Sequence, residues 1–266
     1  MLRAWRLWHL HMHFYRHLSK PKGHALIINN RVFHCRLPER FGTDTDCRNM
    51  RSLLEGLGYV VQVHNNLKGK TMIRFSQKPE LRKSDSAAVV LLSHGEDGRI
   101  YGVDGSLLSV QHIISYLDND RCLALINKPK LFFIQACRGG MNFFLNVSVA
   151  HRTETVLFQF DCIAFEERDS SGKLPRRSDM LIAYATLPGF VSWRNSLHGS
   201  WFIQSICQIF AQYACEEDIL NLLTRVMRFS KIGSYLFSPE MTLWCLSKRN
   251  TDYLYCLRCS SCSERP

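Results

Sequence analysis

The chain has 266 residues, 46% of them hydrophobic and 21% charged, a balance that excludes a disordered polypeptide and lets the chain bury an ordinary core, as one large α/β domain or equally as two small ones. No apolar run approaches the roughly 20 residues a bilayer span needs, which excludes a membrane-spanning helix. The net charge of +11 is scattered, with no basic stripe interleaved with aromatics and no nucleic-acid motif, so it reads as a mildly positive surface that steers acidic polypeptides rather than as a phosphate-binding face.

In chain order, residues 1–19 read as a short basic leader. Arg3, Arg6, Arg16 and the histidines 9, 11, 13 and 17 stand where a signal peptide would be apolar. Residues 25–30 read as a first buried strand. Met50, Leu53, Leu54 and Leu57 then fall on one helical face, with Thr43 or Asp44 as the expected cap. A strand at 58–63, a short helix within the Lys, Arg and Pro-rich stretch 66–84, and a strand at 87–93 follow. A glycine-rich hairpin at 97–108 and a helix at 109–117 complete this half. The run Lys130-Leu131-Phe132-Phe133-Ile134 is a further buried strand. Residues 139–178 keep no period and read as a long exposed loop, with a charged patch at 166–173 and a basic run at 175–177. Order returns with a strand at 180–185 and amphipathic helices at 201–213 and 219–227. Strands alternating with helices predict an α/β fold, an open and mostly parallel sheet with helices on both faces. Sites in such folds lie at the carboxyl ends of the strands.

Two strands end there in reactive residues. One delivers Cys137 before Arg138-Gly139-Gly140, and the other delivers His94 before Gly95. A single buried cysteine is usually inert core, but a Cys and a His at neighbouring strand ends, each flanked by glycine, point to a thiol nucleophile with its acid/base partner. Residues 135–139, Gln-Ala-Cys-Arg-Gly, fit the pattern Q-A-C-[RQG]-G that marks caspases, in which the partner histidine lies upstream. On these residues the chain resembles the caspases, especially the cell-death caspases of nematodes and the executioner group. Gly23 to Asn30, Gly42-Thr43-Asp44-Thr45-Asp46, Tyr101 to Gly105, Val191 to Ser196 and Gly199 to Gln204 carry the resemblance further, from about residue 20 to about 228.

The resemblance implies a caspase-like six-stranded sheet and roles for individual residues. Cys137 is the implied nucleophile and His94 the acid/base, with the thiol activated by a neighbouring imidazolium. The backbone N–H groups of Gly95 and Cys137 would stabilise the oxyanion. Glycine is expected at 95 because a side chain would crowd the substrate carbonyl. Arg40, Gln135 and Arg194 would hold a substrate aspartate, which suits guanidinium groups because they offer planar paired donors that stay charged when desolvated. Ser192 and Arg194 would run along the substrate backbone, Val191 and Trp193 would line the second subsite, and Asn195 and Trp201 the fourth.

The resemblance also divides the chain into a leader (1–19) without a recruitment domain, a large-subunit region (20–138), an intersubunit linker (139–178) and a small-subunit region with a divergent tail (179–266). It implies a zymogen cut in the linker after Asp169, with Asp161 as second choice. The expected activity is hydrolysis after aspartate in cytoplasmic proteins during programmed cell death, with no cofactor. The expected partners are proteins with exposed aspartates and a second copy or another caspase, with no nucleic acid and no membrane. The helix at 201–213 and the last strand are expected to bury themselves against that second copy. The alternative is a catalytically weak homologue that binds and regulates another caspase, favoured by the unusual carboxyl-terminal region. Eleven cysteines without a regular framework or secretory signal imply free thiols. Cys256, Cys259 and Cys262 lack a fourth ligand, so no metal site is expected.

Overall fold

The computed structural model describes residues 15, 17–69, 79–138, 157–159, 175–186, 192 and 194–235, with side chains left out at 79, 80, 157–159 and 230–235. In chain order the strands of its main sheet are β1 (Gly23–Asn29), β2 (Tyr59–Asn65), β3 (Ser86–Leu92), β7 (Lys130–Gln135), β8 (Leu157–Gln159) and β9 (Met180–Tyr184). A small antiparallel sheet of β4 (Gly95–Glu96), β5 (Arg99–Tyr101) and β6 (Leu107–Ser109) follows β3. The main sheet has the order β2-β1-β3-β7-β9-β8. Its first five strands are parallel, and β8 pairs antiparallel with β9 at the edge. The expected α/β fold is the observed one.

Near-continuous apolar runs form these strands because both faces of a parallel sheet are covered. Ala25, Ile27, Val90, Phe133 and Ala183 point to one face, where they meet helices α1 (Thr43–Gly56), α3 (Trp201–Tyr213) and α4 (Ile219–Tyr235). Leu26, Ile28, Val89, Phe132 and Ile182 point to the other, where Leu81, the short helix α2 (Val110–Ile114) and Leu117 cover them. The order reverses at β1, which has β2 on one side and β3 on the other, so a crevice opens beyond the carboxyl ends of β1, β3 and β7.

Four expectations need correction. Helix α1 is not capped by Thr43 or Asp44: its N-cap is Gly42, at φ 83°, and no side chain caps it. The Thr43 hydroxyl is spent on accepting from Arg40 Nη1 at 2.7 Å and donating to Asn29 Oδ1 at 2.8 Å. The segment 139–178 is not all loop, since Leu157–Gln159 takes the free edge of β9, where backbone pairing outweighs a weak local pattern. Its basic run is anchored too: Arg176 and Arg177 both reach the buried Asp118, at 3.1 and 3.2 Å. Finally, the apolar face of α3 is consumed within the chain, with Phe202, Ile203, Ile206, Ile209 and Phe210 in the core, so its amphipathicity does not itself call for a second copy.

Residues of the expected leader also pack. The Tyr15 hydroxyl donates to Asp179, and the N–H groups of Leu18 and Ser19 donate to Asp85 Oδ2 at 2.5 and 2.6 Å. Among the described residues no helix is long and apolar enough to cross a membrane.

Candidate active site

At the crevice, the three strand ends are locked by one buried asparagine. Asn30 donates its N–H to Leu92 O (2.8 Å) and its amide nitrogen to Ser93 Oγ (3.2 Å) and Tyr101 O (3.0 Å). Ser93 in turn donates its N–H to Gln135 O at 3.2 Å. The residues that follow β3 and β7 therefore leave the sheet side by side, as the sequence predicts for His94 and Cys137.

His94 is half-buried, with its ring 4.9 Å from that of Phe33. Its Nε2 lies 2.8 Å from Pro38 O. A carbonyl can only accept, so Nε2 carries the hydrogen and Nδ1 of the neutral ring is the acceptor. Burial, with the charges of Arg40 and Arg194, presses its pKa down to about 4, against the pull of the Pro38 bond. The imidazole is therefore neutral at physiological pH. Burial thus disfavours the imidazolium expected to activate the thiol.

Cys137 is a free, half-buried thiol. Gly95 lies against it: a Cβ there would meet Cys137 O at 2.7 Å, Arg99 O at 2.8 Å and Ala136 Cβ at 2.9 Å. Glycine is thus needed by the protein's own backbone, a reason more immediate than the expected crowding of a substrate carbonyl. Next to the thiol, the Arg138 guanidinium stacks on the Tyr184 ring at 4.2 Å, which ties the exit of β7 to β9.

Arg40 and Arg194 lie within electrostatic reach of each other and of Cys137, which follows Gln135 by two residues. Arg40 is 1% exposed, and its Nη1 donates to Thr43 Oγ1 and to Asn30 O at 3.2 Å, while its Nε is buried without a partner. Arg194 donates Nε to Phe41 O at 2.7 Å. Burial, then the charge of Arg194, lowers the Arg40 pKa to about 9, so a fully buried guanidinium lies within electrostatic reach of a partly exposed one. Gln135 donates Nε2 to Ser192 Oγ at 2.8 Å, and its Oε1 is buried without a partner. Such orphaned polar atoms are rare in folded proteins and mark a place for a ligand or water.

The antiparallel pair β10 (Arg194–Asn195) and β11 (Gly199–Ser200) carries Arg194. Asn195 uses its Oδ1 to accept from Leu197 and His198 N–H at 2.8 and 3.0 Å, so its side chain shapes this turn. Trp201, half-buried, begins α3 directly after it. Val191, Trp193, Asp161 and Asp169, like Cys256, Cys259 and Cys262, lie outside the described residues.

Three contributors carried no assigned role in the sequence. Pro38 acts through its carbonyl, for which side-chain patterns hold no signal. Phe33 stands in an irregular stretch without period. Asp46, fully buried behind the arginines, belongs to the quoted Gly-Thr-Asp-Thr-Asp segment, and its burial behind them was the missing information. Among the described residues no group of His, Cys, Asp and Glu could hold a metal ion. Cys35, Cys47, Cys122, Cys137 and Cys207 are free thiols, as expected, whereas Cys215 is disulfide-bonded.

Comparison with known proteins bears on this arrangement. A caspase-domain profile matches residues 22–248. Cell death protein 3 of Caenorhabditis remanei is 40% identical over 230 residues, which cover 80% of this chain and 45% of that protein. Caspase-2 of Gallus gallus is 38% identical over 231 residues, 82% of this chain and 53% of that protein. Caspase-3 of Bos taurus is 36% identical over 223 residues, 82% of this chain and 76% of that protein. The chain thus spans about half the length of the first two.

Proposed function

The chain belongs to the caspase family, and from that premise we propose that it is a cysteine endopeptidase that hydrolyses peptide bonds after aspartate. The observation that carries this reading is the pair of guanidinium groups beside Cys137, one of them buried with an unspent Nε. A short anionic side chain is the group that such a pocket selects, and a cationic one is repelled.

In the proposed reaction the substrate aspartate carboxylate takes donors from Arg40 and Arg194. Exchanging the two ends of the Gln135 amide lets the Ser192 hydroxyl donate to Oε1 and turns Nε2 toward the same carboxylate. The Cys137 thiol passes its proton to His94 Nδ1, and the thiolate sulfur attacks the carbonyl carbon. The resulting oxyanion is held by the N–H groups of Gly95 and Cys137. His94 returns the proton to the amine, which leaves as the C–N bond breaks. It then takes a proton from the water that attacks the thioester, and Cys137 departs with it. The Nε2–H bond to Pro38 supports this role, since it steadies the ring and its transient positive charge while Nδ1 works.

The proposal extends to a zymogen cut after Asp169, to action in programmed cell death in the cytoplasm, and to pairing with a second copy or another caspase. Names of the relatives support the cell-death role. Purified chain, beside Cys137→Ser, is to be given fluorogenic peptides ending in Asp or Asn and followed by gel and mass spectrometry. Turnover of the Asp peptide by wild type alone, with a first cut after Asp169, is the expected result. Folded protein that leaves both peptides and itself intact sinks the protease reading and turns attention to a homologue that binds another caspase.

A further inference from the structure

The amino end of α1 and the turn carrying Arg194 are zipped together at three points. Arg194 Nε donates to Phe41 O at 2.7 Å, Thr45 Oγ1 donates to Leu197 O at 3.2 Å, and Ser200 N–H donates to Asp46 Oδ1 at 2.7 Å. Glycines permit the approach: a Cβ at Gly42 would strike Asn195 O, and one at Gly199 would strike Asp46 Oδ1. Both glycines also hold positive φ, at 83° and 87°.

Of the three contacts only that of Asp46 is fully buried, and it stands out chemically. Its carboxylate is 0% exposed, Oδ1 serves Ser200, and Oδ2 has no partner. Its charge acts on both Arg40 and Arg194. Burial pushes its pKa up to about 6, in spite of the Ser200 hydrogen bonds and the two arginines. An ionised group with a folded pKa above its unfolded one reduces stability at neutral pH. A residue serving the fold alone would not be a buried carboxylate with an orphaned oxygen.

We propose that Asp46 is a positioning residue of the aspartate pocket, holding the turn that carries Arg194 against α1 and placing a counter-charge behind the two guanidinium groups until a substrate carboxylate arrives. Asp46 itself touches no substrate. It acts through Ser200 and the arginines, which otherwise repel one another and open the pocket. The inference rests on the aspartate-pocket reading above and deepens it.

The test compares wild type, Asp46→Asn and Asp46→Ala as full-length chains, with kcat and KM for the Asp peptide normalised to active sites titrated by an irreversible thiol reagent. In parallel, equilibrium binding of the same peptide is measured on the Cys137→Ser background, where no turnover is needed. Asp46→Ala is expected to raise KM and the dissociation constant roughly tenfold with kcat changed far less. Asp46→Asn, which retains an acceptor for Ser200 N–H, is expected to recover most of that loss. At pH 7.5 it should also melt at or above the wild-type temperature, a gain that fades toward pH 5 as wild-type Asp46 takes up its proton. A purely structural role predicts instead that both variants melt lower and lose active sites. Unchanged KM and binding in Asp46→Ala, or parallel loss of kcat and stability in both variants, overturns the inference. If wild type binds the peptide without cutting it, the protease reading fails while the pocket comparison still decides the role of Asp46. If it binds no Asp peptide at all, both fall.

Discussion

His94 Nε2 is fixed 2.8 Å from the carbonyl oxygen of Pro38, a residue that reaches it from the irregular segment between β1 and α1. This one bond sets the tautomer and leaves Nδ1 as the acceptor of the neutral ring. The same half-buried setting keeps the ring neutral, with a pKa of about 4 against an ordinary 6.5.

His94 is accordingly expected to titrate well below an exposed histidine. Above its folded pKa it is a neutral base; the unfolded chain binds its proton from about pH 6.5 downward, so His94 removes stability as pH falls from 6.5 toward 4. Side-chain NMR of the Cys137→Ser chain checks this, and a midpoint at 6.5 or higher refutes it. His94→Gln should flatten the loss of stability across that window in pH-dependent melts.

Phe33→Ala leaves every hydrogen-bonding group in place and removes only the ring packed 4.9 Å from His94. A freer imidazole spends less time with Nδ1 aimed at the thiol, so kcat should fall roughly tenfold with KM little changed. Steady-state kinetics with the Asp peptide decide the matter, and an equal change in both constants would argue against a ring-aligning role.

Arg194→Lys keeps the charge but cannot offer a guanidinium fork, and the bond to Phe41 O is lost with Nε. KM for the Asp peptide should rise by about one to two orders of magnitude. Retention of wild-type KM would mean that Arg194 does not face the substrate carboxylate.

At the opposite end of the strands, Arg177 donates to the buried Asp118 and, at 2.7 Å, to Gln111 Oε1. Arg177→Ala leaves Asp118 with Arg176 alone and is expected to lower stability by about 1–2 kcal/mol, the smaller part of a buried pair's value because the arginine is partly solvated. Tyr15→Phe, which removes the hydroxyl that donates to Asp179, should lower stability by about 1 kcal/mol. Chemical denaturation measures both, and active-site kinetics should be unaffected because the strand-start edge lies away from the crevice.

Much of this protein was legible before folding. Apolar runs such as Val89 to Leu92 and Lys130 to Ile134 are strands because only a sheet covered on both faces buries so many consecutive apolar residues. The alternation of strands and helices then dictated a parallel sheet, and parallel strands place whatever follows them at one edge. That logic was enough to put His94 and Cys137 at one sheet edge, whereas the roles proposed for Arg40, Gln135 and Arg194 came from the resemblance to caspases.

What lay beyond the sequence depends on long-range pairing and burial. The Thr43 hydroxyl reads as a helix cap locally, but the fold brings Arg40 and Asn29 within reach, and the buried guanidinium takes it. Residues 157–159 sit in a short β-branched and aromatic run too brief to stand out within a long segment without period, and an open edge on β9 supplies their partners. The state of His94 followed from burial and from the two arginines, none of which its neighbours in the chain disclose. Asp46 stood in plain view within a known motif, yet its orphaned oxygen exists only because α1 and the Arg194 turn close over it. Local pattern therefore determined the strands and which strand ends meet, while the tertiary structure decided protonation and unspent hydrogen bonds, because both depend on which groups are taken out of water together.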